Sequence, residues 1–239
     1  VLLPLIAYGL AIAFSLSPEL AVGLMILAAC PGGATSNLIS HLAKADAALS
    51  VTLTAFSSFM TILTIPFIVN FALETFLDQS NMIQLNIIET FLQILMIVII
   101  PVTIGMLIRK YKENFALKMG KPVRIASAIL LVVIIIGITL KEKDTLGTWI
   151  QQAGFVVILL NLIVMFVGYY SAKLFKITNK RALSIAIESG IQNGTLGITV
   201  AVVLLNSSAF ATVSAVYGVL MFFTGAAAVY IGNRQHSKE

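Results

Sequence analysis

Charged side chains are scarce in this 239-residue sequence: 10% of positions are Asp, Glu, Lys or Arg, against 59% hydrophobic residues. A soluble domain carries about 25% charged residues, so there is too little polar surface here to clothe a water-exposed fold. Cysteine is nearly absent as well. Cys30 is alone and lies in an apolar run, which excludes an internal disulfide and gives no thiol pair for redox chemistry. The two histidines, His41 and His236, stand far apart with no Cys or carboxylate at metal-ligand spacing, which argues against a metal enzyme. No nucleophile–base pair is legible in the apolar segments either, so the chain does not read as an enzyme.

Long apolar runs are abundant instead. Eight hydrophobic segments fall at roughly 1–14, 19–45, 47–73, 85–109, 123–140, 150–175, 181–206 and 209–232. Runs near 20 residues recurring along a chain predict an all-α polytopic membrane protein. The formal charge of +5 is then read as basic loop residues rather than as affinity for nucleic acid. With eight crossings, 13 of the 15 Lys and Arg residues fall on one side and only Lys141 and Lys143 on the other. That bias predicts a multi-pass protein of the cell membrane, expected to be a bacterial inner membrane, with the C-terminus cytoplasmic. The basic run from Arg109 to Arg124 is read as topogenic, with contact to anionic lipid as the weaker option. Val1 already lies in an apolar run with no Met or basic stretch before it, so the expectation is a chain that starts partway through a helix.

Two segments are not ordinary spans. The apolar run Leu20–Cys30 is too short to cross about 30 Å of hydrocarbon, and it stops at "CPGGATSN". The run from 181 to 206 breaks at "ESGIQNGTLG". A helix break at membrane depth survives only where it is buried in protein or lines a cavity. Each broken segment follows one helix and precedes another, at 1–73 and again at 150–232. Interrupted segments in matching places point to a secondary transporter built from inverted repeats, with its site at the breaks. The predicted organisation is the end of a first repeat at 1–73, a linker at 74–84 and a second repeat at 85–239. Eight of an expected ten transmembrane segments would then be present.

Glu188 lies seven residues past Arg181, about 10 Å further along a helix, and alone among the acids sits well inside a span. A carboxylate there is costly unless partnered and is a functional candidate; the bland alternative is a protonated Glu bonding a neighbouring helix. A hard cation would offset the charge, with oxygens from Gln192, from carbonyls freed near Gly190, and from Thr35, Ser36 and Asn37 after the first break. Ser50, Thr54, Ser57, Ser58 and Thr61 share one helix face. They read either as further ligands or as small packing residues between membrane helices. Helix N-termini near Ala34–Thr35 and Gly194–Thr195 would suit an anion, and Asn193 could bond its hydroxyl or carboxylate.

"CPGGATSNLISHLAKADAALSVTLTAFSS" followed by "IAIESGIQNGTLG" resembles the bile acid:sodium symporter family, whose bacterial members are ten-helix transporters. The resemblance covers essentially the whole chain. It implies a symporter that imports an organic anion by alternating access, needing no cofactor beyond Na⁺ as the coupling ion. Position by position, it implies a first sodium site at Ser36, Asn37, Ser50, Thr54 and Glu188. A second would use Glu188, Gln192 and the main-chain oxygens of Ser189 and Ile191, and substrate would sit near Ala34, Thr35 and Asn193. Three departures stand out. A glutamine expected in the second site would lie just before Val1; the order Ala34–Thr35 inverts the usual Thr and small residue; and Phe222–Phe223 replace a His-Asn pair of bile-salt-binding members. The implied anion is therefore a small carboxylate such as pantoate, or a bile-acid-like or sulfated one. A proton-coupled carrier and a non-transporting sensor or scaffold are the competing readings.

Overall fold

Pro31 sets the first break in the chain. Proline bars the α conformation for the residue before it and has no N–H to give, and Cys30 is accordingly extended at φ −70°, ψ 154°. The computed structural model describes residues 2–77, 86–141 and 143–236. Most of the expected 74–84 linker, together with Lys238, lies outside them. Among the described residues the elements are α1 (Leu2–Ala13), α2 (Pro18–Ala29), α3 (Ala34–Leu42), α4 (Ala47–Phe76), α5 (Ile87–Tyr111), α6 (Glu113–Lys141), α7 (Lys143–Leu174), α8 (Asn179–Gly190), α9 (Gly194–Thr199) and α10 (Ser208–His236). The chain leaves α9 through a π turn at Val200–Leu204. Among the described residues, four helices are long and apolar enough to cross a membrane: Ala47–Phe76, Ile88–Tyr111, Gly147–Leu174 and Ser208–Gln235. The span expected at 123–140 belongs to a longer helix that already starts at Glu113.

Sharp reversals join these pieces, and they recur in the same order. Ser15, Lys44, Lys176 and Asn206 all adopt positive φ, between 46° and 58°. At Ser15 the Leu16 N–H reaches back to Ala11 O at 3.0 Å; at Lys44 the Ala45 N–H reaches Ser40 O at 3.0 Å; at Lys176 the Ile177 N–H reaches Ala172 O at 3.1 Å. These six-to-one bonds satisfy carbonyls orphaned at a helix end and turn the chain back on itself. Each broken helix is therefore entered and left by a residue in the left-handed conformation.

α2 is buried on every side, from Leu20 to Ala29, as expected of a helix with no polar face. It packs between α1, α4 and α10, while α8 lies along α7. The turn before α4 is fastened to α8: Asp46 caps α4 by accepting the Leu49 N–H at 3.0 Å, and Arg181 Nε reaches its other oxygen at 3.1 Å. Those two contacts, the backbone bond first, hold the Asp46 carboxyl below the usual carboxylate range. α5 packs on α4 and α6 packs on α5 and α10, and both leave broad aliphatic faces bare, with Ile104, Met106, Ile129 and Val133 more than half exposed. Bare aliphatic helices of this kind suit lipid, which has no water to exclude them.

Candidate functional site

The two breaks meet. Gly33 N–H donates to Ile191 O at 2.8 Å and Asn193 N–H donates to Pro31 O at 2.9 Å, so residues 31–33 and 191–193 pair antiparallel with Gly32 facing Gln192. Each non-helical stretch thus supplies the partners that the other lacks, which is how backbone polar groups are tolerated away from water. The approach is close: a Cβ on Gly32 would collide with the Glu188 carboxylate, and one on Gly33 would lie 3.0 Å from Gln192 O.

Glu188 occupies the last turn of α8 beside this crossing and is only 7% exposed. Ser36 Oγ of α3 donates to its Oε2 at 2.6 Å, and Ser50 Oγ of α4 donates to the same oxygen at 3.0 Å. Thr54 Oγ1 donates to Oε1 at 2.6 Å and lies 3.2 Å from Asn37 Oδ1. Three hydroxyls, up to 152 positions away in sequence, converge on one carboxylate, with Asn37 Oδ1 behind Thr54, and every atom in these bonds is oxygen. No Lys or Arg joins that set of hydrogen bonds. An all-oxygen shell with one negative charge is the donor set that a hard monovalent or divalent cation takes.

The model of the Sodium Bile acid symporter family matches residues 1–149, well over half of the chain. The chain belongs to this family. Among its relatives, an uncharacterised sodium-dependent transporter of Bacillus subtilis (strain 168) is 31% identical over 204 residues, covering 84% of this chain and 60% of the relative. A probable chloroplast sodium/metabolite cotransporter of Oryza sativa subsp. japonica is 26% identical over 97% of this chain and 54% of its own length. The ileal sodium/bile acid cotransporter of Homo sapiens is 28% identical over 83% of this chain and 56% of its own length. The chain thus spans about half the length of the curated relatives it matches. These family members are sodium-dependent transporters rather than enzymes.

The other residues singled out from the sequence also lie at the crossing. Gln192 is buried; its Nε2 donates to Ser189 O at 2.6 Å, and its Oε1 has no hydrogen-bond partner among the described residues. Ile191 gives its main-chain oxygen to Gly33, while the Ser189 hydroxyl turns back to Ile185 O. Asn193 caps α9, its Oδ1 accepting the Leu196 N–H at 3.0 Å, so its amide nitrogen is the end left to meet a ligand. Ala34 and Thr35 open α3 immediately beside it, exposed and half-buried respectively. A cavity of about 370 Å³ reaches Glu188, Ser189 and Gln192 from the side of α1 and α4. Its wall includes Ser57 and Thr61, two hydroxyls of the α4 stripe that miss the carboxylate. Thr61 instead donates to Ala29 O at 3.3 Å and Ser57 to Thr54 O at 3.1 Å. Phe222 and Phe223 are 47% and 71% exposed on the outer face of α10.

One polar group escaped the sequence reading. Asn161 of α7 and Tyr217 of α10 are buried together against the carbonyl of Gly190. The signal was available: Asn161 stands alone within "VVILLNLIVMF", where an unpartnered amide is costly.

Proposed function

We propose that the protein carrying this chain is a sodium-coupled symporter that imports an organic anion by alternating access. The observation that supports this most is the carboxylate of Glu188, ringed by hydroxyls from two other helices and backed by Asn37. Ser36, Asn37, Ser50, Thr54 and Glu188 would hold one sodium ion; Glu188 and Gln192, with the carbonyls of Ser189 and Ile191, would serve a second. Sodium supplies the positive charge that an isolated carboxylate needs at this depth, and it ties α3, α4 and α8 into one unit. The anion, a small carboxylate or a larger sulfated or bile-acid-like one, then binds beside it at Ala34, Thr35 and Asn193. If sodium raises anion affinity by some factor, the anion must raise sodium affinity by the same factor.

The proposed organisation is an inverted repeat with eight of ten transmembrane segments in this chain: 1–73, a linker at 74–84, and 85–239. The recurrence of left-handed reversals around both broken helices supports it, as does the antiparallel pairing of 31–33 with 191–193. The Lys and Arg distribution supports a cytoplasmic C-terminus, in what we take to be a bacterial inner membrane.

The test is uptake of labelled pantoate, pyruvate, a sulfated steroid and taurocholate into proteoliposomes holding the full-length protein. Accumulation of at least one of them only under an inward sodium gradient is expected. Accumulation driven by a pH gradient and indifferent to sodium would instead make Glu188 a proton carrier, and binding without uptake would make the protein a sensor.

A further inference from the structure

Gly190 closes α8, and its carbonyl is held twice. Asn161 Nδ2 donates to it at 2.7 Å from α7, and the Tyr217 hydroxyl donates to it at 2.7 Å from α10. The same Asn161 nitrogen donates to the Tyr217 oxygen at 2.9 Å. Both side chains are deeply buried, at 3% and 1% exposure. Gly190 gives the arrangement room, since a Cβ there would run into the Met165 side chain beside Asn161.

One donor would satisfy a helix-terminal carbonyl. Here there are two, and the arrangement leaves Asn161 Oδ1 buried without a partner among the described residues. An unpaired buried acceptor is a net loss, so satisfying the carbonyl does not account for the group. Two bonds converging on one oxygen from two different helices do something else: they fix the plane of the Gly190–Ile191 peptide. The next carbonyl, Ile191 O, is the one that pairs with Gly33 across the crossing. The next side chain is Gln192, whose Oε1 is buried and unpartnered. The first break has a looser counterpart, in which Ala29, closing α2, takes a single hydroxyl from Thr61 of α4 at 3.3 Å.

We infer that Asn161 and Tyr217 are positioning residues that set the sodium affinity of the crossing by holding the Gly190–Ile191 peptide, so that Ile191 O and Gln192 Oε1 keep their places. The inference rests on the sodium-coupled reading above. It assigns to α7 and α10 a part in ion affinity although neither contributes a proposed ligand.

Tyr217→Phe keeps the ring in the core and removes one of the two donors. The full-length protein is purified in detergent, its melting temperature is followed as NaCl replaces choline chloride, and sodium-driven uptake is measured in parallel. Loss of the hydroxyl is expected to raise the half-saturating sodium concentration roughly tenfold and to leave the anion KM at saturating sodium within about twofold of wild type. Should Tyr217→Phe fail to insert, Asn161→Ala is read by the same criterion. A variant that melts lower in sodium-free buffer but keeps the wild-type sodium half-saturation makes the pair merely structural and overturns the inference. A wild-type protein with no sodium response sinks the coupling reading itself, and the assignment with it.

Discussion

Glu188→Gln separates what the carboxylate does for folding from what it does for the ion. In the structure it accepts three hydroxyl bonds, from Ser36, Ser50 and Thr54. A hydrogen bond to a charged group is worth about 1.5–3 kcal/mol and a neutral one about 0.5–1.5, so the change forfeits on the order of 3 kcal/mol across the three. An amide also presents a donor at one end, but Thr54 can accept it because its own hydroxyl already lies 3.0 Å from Ser50 O as an alternative acceptor. Against this loss stands the desolvation of an ionised carboxylate, several kcal/mol, which the amide does not incur. The two nearly cancel, and sodium-free Glu188→Gln is expected to be about as stable as wild type or more so. Sodium binding behaves differently. At a hundredfold excess over its dissociation constant a ligand adds about 2.7 kcal/mol, and in a protein of this size that corresponds to a rise of roughly 5–10 °C. The assay is thermal unfolding of the detergent-purified protein in NaCl against choline chloride: wild type should show the rise and Glu188→Gln should lose it. A variant that keeps the full sodium-dependent rise would refute the assignment of Glu188 as a cation ligand.

Gly32→Ala places a methyl on the Glu188 carboxylate; swinging the carboxylate aside to make room would break its bonds from Ser36, Ser50 and Thr54, a loss of roughly 2–4 kcal/mol. A monodisperse variant that resists denaturant and protease as well as wild type would show that those bonds add nothing to stability. Asp46→Asn retains a good helix cap but removes the charge facing Arg181. Because the Asp46 pKa is lowered by folding, its contribution is fully present above the unfolded value near pH 4 and is lost as pH falls through the folded one. The pair is half-exposed, so the variant should be less stable at neutral pH by under about 1 kcal/mol. Its melting temperature should also fall less steeply than wild type below pH 4; parallel acid limbs for the two proteins would refute the Asp46 contribution.

The membrane class, the two breaks and the isolation of Glu188 were legible because each is a local property of the chain. Pro31 followed by two glycines stops a helix wherever it occurs, and a lone carboxylate among isoleucines is conspicuous on composition alone. The hydroxyl stripe shows where local reading ends. Ser50, Thr54, Ser57 and Thr61 share a face by helical period, yet Ser50 and Thr54 meet Glu188 while Ser57 and Thr61 bond backbone and border the cavity. Period fixes which residues share a face; only the placement of α4 against α8 fixes which turn of that face the carboxylate reaches.

Asn161 and Tyr217 mark the same boundary more sharply. Asn161 stands in an apolar stretch of α7 and Tyr217 among several polar residues of α10, and nothing in their spacing of 56 positions joins them or links either to Gly190. The sequence by itself determined that this chain would bury two broken helices in an apolar setting, because breakers, hydropathy and charge act within a few residues of where they stand. Which oxygens those breaks would present, and which distant helices would hold them in place, was decided only when α3, α4, α7, α8 and α10 packed together, since hydrogen bonds form between groups that are near in space whatever their separation along the chain.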